Sequence, residues 1–439
     1  MKDSSEDVSR TVIGGATVVT MDDDREILQP GYIGIAGTRI GFVAHSVPED
    51  PKWNRVARID GAGCIAIPGL INCHTHAGMT TMRGVADDMP LMKWLETRIW
   101  PMEARMTSED VYWGTKLAVL EMIRGGVTCF NDMYWHSDQA AQACHEVGIR
   151  AVLSGVLIAT QKDPEGQLKQ AVDVVNKWKE RDHSRIKFYF GPHALYTCPP
   201  AYLEAVVSHA RQLATGIHIH LSETASEVEG CEREYGKSPV EVLEEVGLFS
   251  RPTIAAHCIH LSPRDTDILA SHRVSAIHNP SSNMKLASGV MKVEHLLDRG
   301  VNVALGTDSA ASNNNLSILS EIRMASLLQK IDTGDPSALP AATVLDLATR
   351  NGAKAIQMEG RLGQLKPGFD ADIVLIRNNR IHSSPPTDPV SHLVYSLRPD
   401  DVDTVFVEGE MMLTNGEFID IDVEEVIARS TEIVQRIRV

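Results

Sequence analysis

The sequence lacks three features that would assign it to a common class: paired cysteines, a long apolar run and an excess of basic residues. Its seven cysteines are odd in number and form no Cys-x-x-Cys motif, which excludes a disulfide framework and favours a reducing compartment. No run of about 18 apolar residues is present to span a membrane. The N-terminal MKDSSEDVSR is polar and acidic, unlike a signal peptide. We therefore expect a cytoplasmic protein that has no membrane partner.

The charge balance argues against a nucleic-acid partner. Lysine and arginine total 42 against 58 aspartates and glutamates, which gives a formal net charge of −16. An acidic chain repels a phosphate backbone, but it does not exclude small neutral or zwitterionic substrates. The hydrophobic content of 43% is enough for a large core, and 439 residues suit one large barrel with a smaller second unit.

Through the middle of the chain, short runs rich in Val, Ile and Ala alternate with helix-like stretches. Continuous apolar runs of this kind are typical of buried parallel strands. Eight strands are predicted, at 64–71, 127–131, 150–157, 186–192, 216–221, 253–258, 274–279 and 301–307. Eight β/α units in roughly 290 residues predict an α/β fold with a parallel (β/α)8 TIM barrel, and the absence of an opening GxGxxG argues against an open doubly wound sheet.

The two ends of the chain differ from the middle, because short β-like runs there alternate with turns. Neither end is long enough for a good sandwich alone, so we expect them to meet as one small composite β-sandwich domain. The predicted division is an N-terminal part of the β domain at 1–63, a metal-dependent barrel at 64–360, and a C-terminal part with a terminal helix at 361–439.

The motif His74-Thr75-His76 directly follows the first predicted strand. Alternate residues of a strand face the same side, so imidazoles at i and i+2 can bind one ion. Taken alone, the pair is explained equally well as two surface histidines in a loop.

A second motif, HIHLSE at 218–223, ends the fifth predicted strand. His220 is the better candidate ligand because it lies nearer the C-terminal end, where barrel active sites are found. His218 is favoured as a buried, hydrogen-bonded residue of the barrel interior. Glu223 would lie beside a metal-bound water, or it is a solvated loop acid. Asp308, which closes the eighth strand, either reaches the ion and the reacting centre or caps the next helix.

A closed barrel brings these strand ends around one mouth. Together His74, His76, His220 and Asp308 form a nitrogen and oxygen site with room for water, which suits one catalytic Zn²⁺. Fe²⁺ or Mn²⁺ would fit the same ligands. His257, at the end of the sixth strand, faces the same mouth. The joint arrangement favours a catalytic site over unrelated polar residues.

By these residues the sequence resembles the amidohydrolase superfamily, in its single-metal deaminase branch. The motifs that carry the resemblance are PGLINCHTH (68–76), HIHLSE (218–223), AAHC (255–258), GTDSAASNN (306–314) and LGQLKPGFDADIVLI (362–376). No lysine ends the fourth strand, so the two-metal branch with a carbamylated lysine is not suggested. Segment 91–135 is similar to that of the methylthioadenosine/S-adenosylhomocysteine deaminases. The resemblance implies that Glu103 binds the ribose hydroxyls, that His193 contacts the nucleoside, and that the chain forms a homo-oligomer.

The activity that the resemblance implies is hydrolytic deamination of an adenine nucleoside: 5′-methylthioadenosine, adenosine or S-adenosylhomocysteine. In this hypothesis Glu223 transfers a proton from water to ring N1, His257 steadies the attacking oxygen, and Asp308 helps to protonate the departing amine. Segment 151–160 contains no basic residue, and Arg150 lies at the wrong end of its strand for the mouth. This departure from the family favours methylthioadenosine or adenosine over a substrate that carries homocysteine.

Two alternatives stay open at this point. The same metal site serves deaminases and chlorohydrolases of free bases and s-triazines in related barrels. A catalytically inactive barrel could also act as a binding module, although the complete ligand set argues against it. An HxE motif with PCxxC, as in cytidine-deaminase-like folds, is absent.

Overall fold

The structure is a computed structural model that describes residues 9–85, 87–181 and 185–438. It contains two sheets, one arranged as a barrel and one built from both ends of the chain. The polar segment 1–8, on which the prediction of no signal peptide depends, lies outside the described residues. Among the described helices, none is both long and apolar enough to cross a membrane.

The strands fall into three groups along the chain. The first group is β1 (Arg10–Val19), β2 (Ile27–Ala36), β3 (Arg39–Ala44), β4 (Ala57–Asp60) and β5 (Cys64–Pro68). The barrel strands are β6 (Leu70–Thr75), β7 (Val127–Tyr134), β8 (Arg150–Leu157), β9 (Ile186–Pro192), β10 (Ile217–Leu221), β11 (Thr253–His257), β12 (Ser275–His278) and β13 (Asn302–Leu305). The last group is β14 (Ile373–Arg377), β15 (Val402–Val407), β16 (Glu410–Thr414) and β17 (Glu417–Phe418).

Helices surround the barrel and cover its mouth. Those up to β10 are α1 (Leu91–Trp94), α2 (Trp100–Glu103), α3 (Ser108–Arg124), α4 (Ser137–Val147), α5 (Pro164–Lys179) and α6 (Pro200–Gln212). Those between β10 and β13 are α7 (Ala225–Tyr235), α8 (Pro239–Glu245), α9 (Pro263–Ser271), α10 (Pro280–Lys285) and α11 (Val293–Asp298). The remaining helices are α12 (Ile318–Thr333), α13 (Ala341–Ala348), α14 (Arg350–Ala355), α15 (Pro389–Tyr395) and α16 (Val423–Ile437).

Strands β6 to β13 form a parallel eight-stranded sheet in chain order, and its two ends meet. The side-chain amide of Asn72 donates to Thr307 Oγ1 at 2.8 Å, and the N–H of Thr307 donates to Asn72 Oδ1 at 3.1 Å. The N–H of Asp308 donates to the carbonyl of His74 at 2.9 Å. These bonds join β6 to the segment that follows β13, so the predicted (β/α)8 barrel is confirmed.

Alternation along the barrel strands divides the core into two layers. One apolar cluster fills the space between the strands and the surrounding helices. A smaller cluster fills the barrel interior and includes Ile71, Val152, Ile254, Ile277 and Ala304. Toward the C-terminal strand ends the side chains in the barrel interior are polar, and the candidate site lies there.

The terminal sheet has nine strands in the order β17-β16-β15-β14-β5-β1-β2-β3, with β4 also paired to β1. The two chain ends meet where β14 pairs antiparallel with β5. The expectation that both ends build one β unit is therefore confirmed. The division of the chain at 1–63, 64–360 and 361–439 stays a prediction.

The prediction of a single first barrel strand at 64–71 was wrong. Strand β5 belongs to the terminal sheet, where it pairs with β1 and β14, and the barrel begins only at β6. Gly69 separates the two strands, and a Cβ there would collide with the side chain of Thr128. Both strands are fully buried, so their hydrophobicity alone did not distinguish the two sheets.

Arg150 connects the two sheets at the end of the barrel opposite the mouth. It begins β8, is 1% exposed, and its Nη2 lies 2.8 Å from Asp370 Oδ2. Its Nε lies 3.1 Å from Asp372 Oδ2, and its Nη2 lies 3.4 Å from Glu408 Oε1. These carboxylates raise the pKa of Arg150, although burial opposes them. The interpretation that Arg150 lies at the wrong end of its strand for the mouth is confirmed.

Candidate active site

The C-terminal ends of β6, β10, β11 and β13 converge at the mouth of the barrel. Residues there have positive φ angles, among them Ser222 (51°), His257 (73°) and Asp308 (62°). Non-glycine residues rarely adopt this conformation, and such strain is concentrated at functional sites. The strand ends therefore turn sharply and direct their side chains toward one point.

Each of the three mouth histidines has its Nδ1 atom engaged by the protein. Nδ1 of His76 lies 2.6 Å from the carbonyl of Met133, and Nδ1 of His220 lies 2.8 Å from the carbonyl of His193. A carbonyl accepts only, so Nδ1 carries a proton in both rings, and Nε2 is the nitrogen directed at the site. The Nε2 atoms of His76 and His220 lie 3.3 Å apart.

His74 also has its Nδ1 atom engaged by the protein, but its partner is another histidine and not a carbonyl. Its Nδ1 lies 2.8 Å from Nε2 of His218, and both rings are completely buried. His218 in turn contacts the side-chain amide of Asn131 at 2.9 Å. Nε2 of His74 has no hydrogen-bond partner among the described residues. A buried nitrogen without a hydrogen-bond partner is costly, so this atom is suited to bind a ligand.

Asp308 completes this cluster. Its Oδ1 lies 3.2 Å from Nε2 of His76 and 3.5 Å from Nε2 of His74. Its Oδ2 accepts hydrogen bonds from the hydroxyls of Ser282 at 2.6 Å and Ser312 at 2.9 Å. Burial raises the pKa of Asp308, but the interactions with the two adjacent histidines outweigh it and hold the pKa well below its ordinary value. The residue is therefore a fixed carboxylate.

The donor atoms form two overlapping groups that could hold a metal ion. One contains His74, His76 and Asp308, and the other contains His74, His220 and His257; within each group the donor atoms lie within 4.8 Å of one another. Nitrogen and oxygen donors that converge without a thiolate suit Zn²⁺ or another divalent transition metal. The structure thus brings together the four residues proposed as ligands from the sequence, although the assignment of each as a ligand stays a prediction.

His257 faces the same point from β11. Its Nδ1 lies 2.8 Å from Oδ1 of Asn283, so Nε2 is the nitrogen left to face the mouth. That Nε2 lies 3.8 Å from Oε2 of Glu223. His257 is therefore placed between the candidate metal cluster and the candidate proton-transfer group.

Glu223 is held by its neighbours on both sides. Its Oε1 accepts a hydrogen bond from the hydroxyl of Ser288 at 3.3 Å. Its backbone N–H and that of Ser222 both donate to the carboxylate of Glu227, at 2.8 Å and 2.9 Å. Burial raises the pKa of Glu223, and the proximity of His257 partly opposes this. A buried carboxyl with a raised pKa is suited to accept a proton and return it.

A cavity of about 670 Å³ extends from this cluster toward α1 and α2. His193 lines it, and burial lowers the pKa of this residue to about 3, so the imidazole is neutral. Glu103 also lines this cavity. Burial raises the pKa of Glu103 to about 7, against hydrogen bonds from Tyr134 and Trp135. The cavity therefore has a metal-binding end and a second polar anchor within an apolar, aromatic wall.

The position of Glu103 depends on an irregular helix. Helices α1 and α2 are joined by the π-helical turn Leu95–Ile99, and Pro101 lies in the turn that follows. Proline cannot donate an intrahelical hydrogen bond, and a π-helical turn is a common adjustment near functional sites. The π-helical turn, which is wider than an α-helical turn, directly precedes α2, and Glu103 is the last residue of α2.

Several contributors to the site were not identified as such from the sequence. They are Asn131, Glu227, Ser282, Asn283, Ser288 and Ser312. The sole sequence signal for Glu227 is its place three residues after Thr224 at the start of α7, which resembles a capping box. Its carboxylate instead reaches further back, to the N–H groups of Ser222 and Glu223.

Comparison with known proteins agrees with this geometry. The model of the amidohydrolase family matches residues 65–412. A 5-methylthioadenosine/S-adenosylhomocysteine deaminase from Desulforudis audaxviator is 48% identical over 93% of this chain and 95% of its own length. One from Syntrophomonas wolfei is 42% identical over 98% of this chain and 99% of its own length.

A solved structure resembles the whole chain. The crystal structure of an adenosine deaminase from Xanthomonas campestris with bound zinc is 35% identical, with a TM-score of 0.93, and the match covers 98% of this chain and 99% of that one. Family model, relatives and solved structure all extend over nearly the full barrel. The chain therefore belongs to the amidohydrolase family, within its methylthioadenosine/S-adenosylhomocysteine deaminase group.

Proposed function

We propose that this protein is a zinc-dependent hydrolase that deaminates an adenine nucleoside to the inosine analogue and ammonia. The substrate is 5′-methylthioadenosine, adenosine or S-adenosylhomocysteine. The observation that carries the proposal is the cluster of imidazole Nε2 atoms around the Asp308 carboxylate, beside a buried Glu223. Cytoplasmic location, assembly into a homo-oligomer and the lack of nucleic-acid or membrane partners remain predictions.

The residues present fit one divalent metal ion. His74, His76, His220 and Asp308 would hold it. The Nε2 atoms of His74 and His76 lie beside the Asp308 carboxylate, and Nε2 of His220 lies 3.3 Å from that of His76. The buried Nε2 of His74 has no hydrogen-bond partner among the described residues. A zinc ion there would supply Lewis acidity that lowers the pKa of a water molecule toward about 7. Fe²⁺ or Mn²⁺ would suit the same donors, since affinity alone does not decide which metal is loaded.

The chain's own residues move the protons. Glu223 accepts a proton from the attacking water as the oxygen–C6 bond forms, and it passes that proton to ring N1 of the purine. His257 contacts the attacking oxygen through Nε2, since its Nδ1 is engaged by Asn283. Asp308 helps to move a proton to the exocyclic amine, the C6–N bond breaks, and ammonia leaves. Both Glu223 and Asp308 therefore contact the substrate.

The far end of the cavity binds the sugar in this proposal. Glu103 is the only acidic residue that lines the cavity away from the metal-binding cluster among the residues that the structure describes. A carboxylate enclosed by aromatic residues is a strong acceptor for a pair of ribose hydroxyls. His193 lies between this anchor and the metal end, and its neutral ring contacts the nucleoside. These roles are carried over from the family at matching motif positions.

The two alternative functions make different predictions. A free base or an s-triazine would use the same metal end but leave Glu103 without a partner. A non-catalytic binding module would not need Glu223 held beside His257 and the metal cluster. Glu103 disfavours the first alternative, and the arrangement of Glu223 disfavours the second.

The deciding experiment is ammonia release by metal-analysed protein across nucleosides, free bases and a chlorinated triazine. Fast turnover of a nucleoside with little turnover of adenine, guanine or cytosine is the expected result. Turnover only of a free base, or chloride release from the triazine, would retain the metal site and overturn the nucleoside assignment. Stoichiometric zinc without turnover on any substrate would favour a binding module.

A further inference from the structure

We infer that Glu227 is a positioning residue for the proposed reaction: its carboxylate holds the turn that carries Glu223 and so keeps the Glu223 carboxyl beside His257. The inference rests on the proposed function, in which Glu223 moves a proton from water to ring N1. It goes beyond that function because it assigns the placement of Glu223 to a residue outside the lining of the cavity that extends from the metal cluster.

Glu227 binds two successive backbone N–H groups at the end of β10. Its Oε1 accepts from the N–H of Ser222 at 2.9 Å, and its Oε2 accepts from the N–H of Glu223 at 2.8 Å. Successive N–H groups that converge at a turn form a concave site for an anion, and here the chain supplies that anion itself. Ser222 has a φ of 51°, which a non-glycine residue rarely adopts unless its surroundings hold it there. Glu227 therefore stabilises a strained turn.

Helix α7 fixes the position of Glu227. The helix begins directly after Thr224, and the Oγ1 atom of Thr224 accepts from the N–H of Glu227 at 3.2 Å. An acidic side chain in the first turn also interacts favourably with the positive end of the helix dipole. Burial raises the pKa of Glu227 to about 7, while the N–H groups of Glu223 and Ser222 lower it and so favour the ionised form.

The same turn is bonded to the loop that follows β11. The carbonyl of Ser222 accepts from the N–H groups of Ile259 at 3.1 Å and His260 at 3.0 Å. Nε2 of His260 lies 2.8 Å from the carbonyl of Ser288, and the hydroxyl of Ser288 donates to the carboxyl of Glu223. The turn at 222–223 is therefore where α7, the loop after β11 and the segment of Ser288 are bonded together.

The Glu223 side chain depends on this turn because it has little else to fix it. Among the described residues its carboxyl accepts one hydrogen bond, from Ser288 at 3.3 Å, which is long for a hydroxyl donor. Its Oε2 lies 3.8 Å from Nε2 of His257. Misplacement of a catalytic group by about 1 Å can cost on the order of 100-fold in rate. Loss of the Glu227 bonds should therefore slow the chemical step and leave zinc and substrate binding nearly unchanged.

The test measures kcat, KM and zinc content of Glu227→Ala and Glu227→Gln with a nucleoside that the wild type deaminates. We expect Glu227→Ala to lower kcat by about 10–100-fold, with KM changed by less than about threefold and zinc content unchanged. Glu227→Gln keeps one acceptor oxygen and should lose less, and it preserves the test if Glu227→Ala does not fold. Glu232→Gln, on the exposed side of α7, is the matched control and should behave like wild type.

A double variant separates positioning from a general structural role. If Glu227 acts through Glu223, adding Glu227→Ala to Glu223→Gln should change kcat by less than about twofold. A further 10–100-fold loss (about that of the single variant) would overturn the inference, and so would a wild-type kcat in Glu227→Ala or a loss of zinc that matches the loss of kcat. Absence of nucleoside turnover in the wild type would overturn the proposed function, and the inference with it, so the two failures are distinguishable.

Discussion

Nδ1 of His74 lies 2.8 Å from Nε2 of His218, and neither imidazole is exposed to solvent. If Nε2 of His74 binds a metal, its Nδ1 must carry the proton and donate to Nε2 of His218. His218 must then be neutral, and burial does lower its pKa well below the ordinary value. The first histidine of HIHLSE, His218, therefore has a distinct task, which is to fix the tautomer and orientation of His74.

The first prediction is that His218→Phe weakens zinc binding. Phenylalanine keeps the ring volume but removes the acceptor for Nδ1–H of His74, and loss of such an outer partner typically costs about 10–100-fold in metal affinity. Competition with a chromophoric chelator measures the dissociation constant independently of catalysis. His218→Gln restores an acceptor oxygen and should recover part of the affinity, and His295→Gln on the exposed face of α11 is the control. An unchanged zinc affinity in His218→Phe would contradict the assigned task.

The second prediction concerns Glu223. Glu223→Gln should bind zinc normally yet lose roughly 10²–10⁴ in kcat, because an amide cannot accept and return the proton. Metal analysis and steady-state kinetics check both halves of the prediction. Glu229→Gln, on the exposed side of α7, is the matched control and should behave like wild type. A Glu223→Gln variant with near-normal kcat would remove Glu223 from the proposed mechanism.

The third prediction is that Glu103→Gln reduces the preference for nucleosides over free adenine. Loss of charged hydrogen bonds to the ribose hydroxyls should lower kcat/KM for nucleosides by about 10–100-fold, since such bonds contribute about 1.5–3 kcal/mol each. Turnover of free adenine, which has no ribose, should change little. Glu96→Gln lies on the exposed side of the neighbouring π-helical turn and controls for the loss of a carboxylate there. Equal losses on nucleoside and base would mean that Glu103 acts on the fold of the site and not on the sugar.

The fourth prediction is a pH-dependent stability that Glu321 contributes. This completely buried carboxyl accepts from the N–H of Ser281 and the side-chain amide of Asn313, both at 3.0 Å. Burial raises its pKa to about 7, so the folded state holds a proton that the unfolded state releases above about pH 4.5. The stabilisation is therefore fully present below pH 4.5 and is lost as pH rises through 7.

Urea unfolding of wild type and Glu321→Gln at pH 5 and pH 8 measures this contribution. The free energy of unfolding of wild type, relative to the variant, should be greater at pH 5 than at pH 8 by on the order of 2–3 kcal/mol. Glutamine does not titrate, so it cancels the pH dependence of the remaining groups. A relative stability that stays constant or increases toward pH 8 would contradict the raised pKa.

The histidines at the metal-binding end of the site were predictable, because their spacing in the sequence follows from strand geometry. His74 and His76 are two residues apart, as are His218 and His220, and strand alternation placed each pair on one face. The positions of seven barrel strands followed from their apolar runs in the same way. The spacing alone did not show whether His218 or His220 reaches the mouth. His220 was chosen because it lies nearer the C-terminal end of its strand, where barrel active sites are found.

The supporting contacts could not be predicted, because nothing in the sequence pairs these polar residues with Asp308. Ser282 on α10 and Ser312, four residues after Asp308, both donate to its carboxylate, and each looks like an ordinary polar residue in the sequence. The prediction of a single strand at 64–71, which missed the boundary at Gly69, was wrong for another reason. Strands β5 and β6 are equally apolar and adjacent in the chain, so only their hydrogen-bond partners assign them to different sheets.

The ion cluster around Arg150 has a consequence for the order in which the molecule can be completed during synthesis. Arg150 enters the barrel early, but its carboxylate partners Asp370, Asp372 and Glu408 are translated more than 200 residues later. Strand β5 likewise pairs with β14, which is translated much later. A nascent chain that has finished the barrel sequence still holds an unneutralised arginine and an open sheet edge, so the last quarter of the chain must leave the ribosome before the fold is closed.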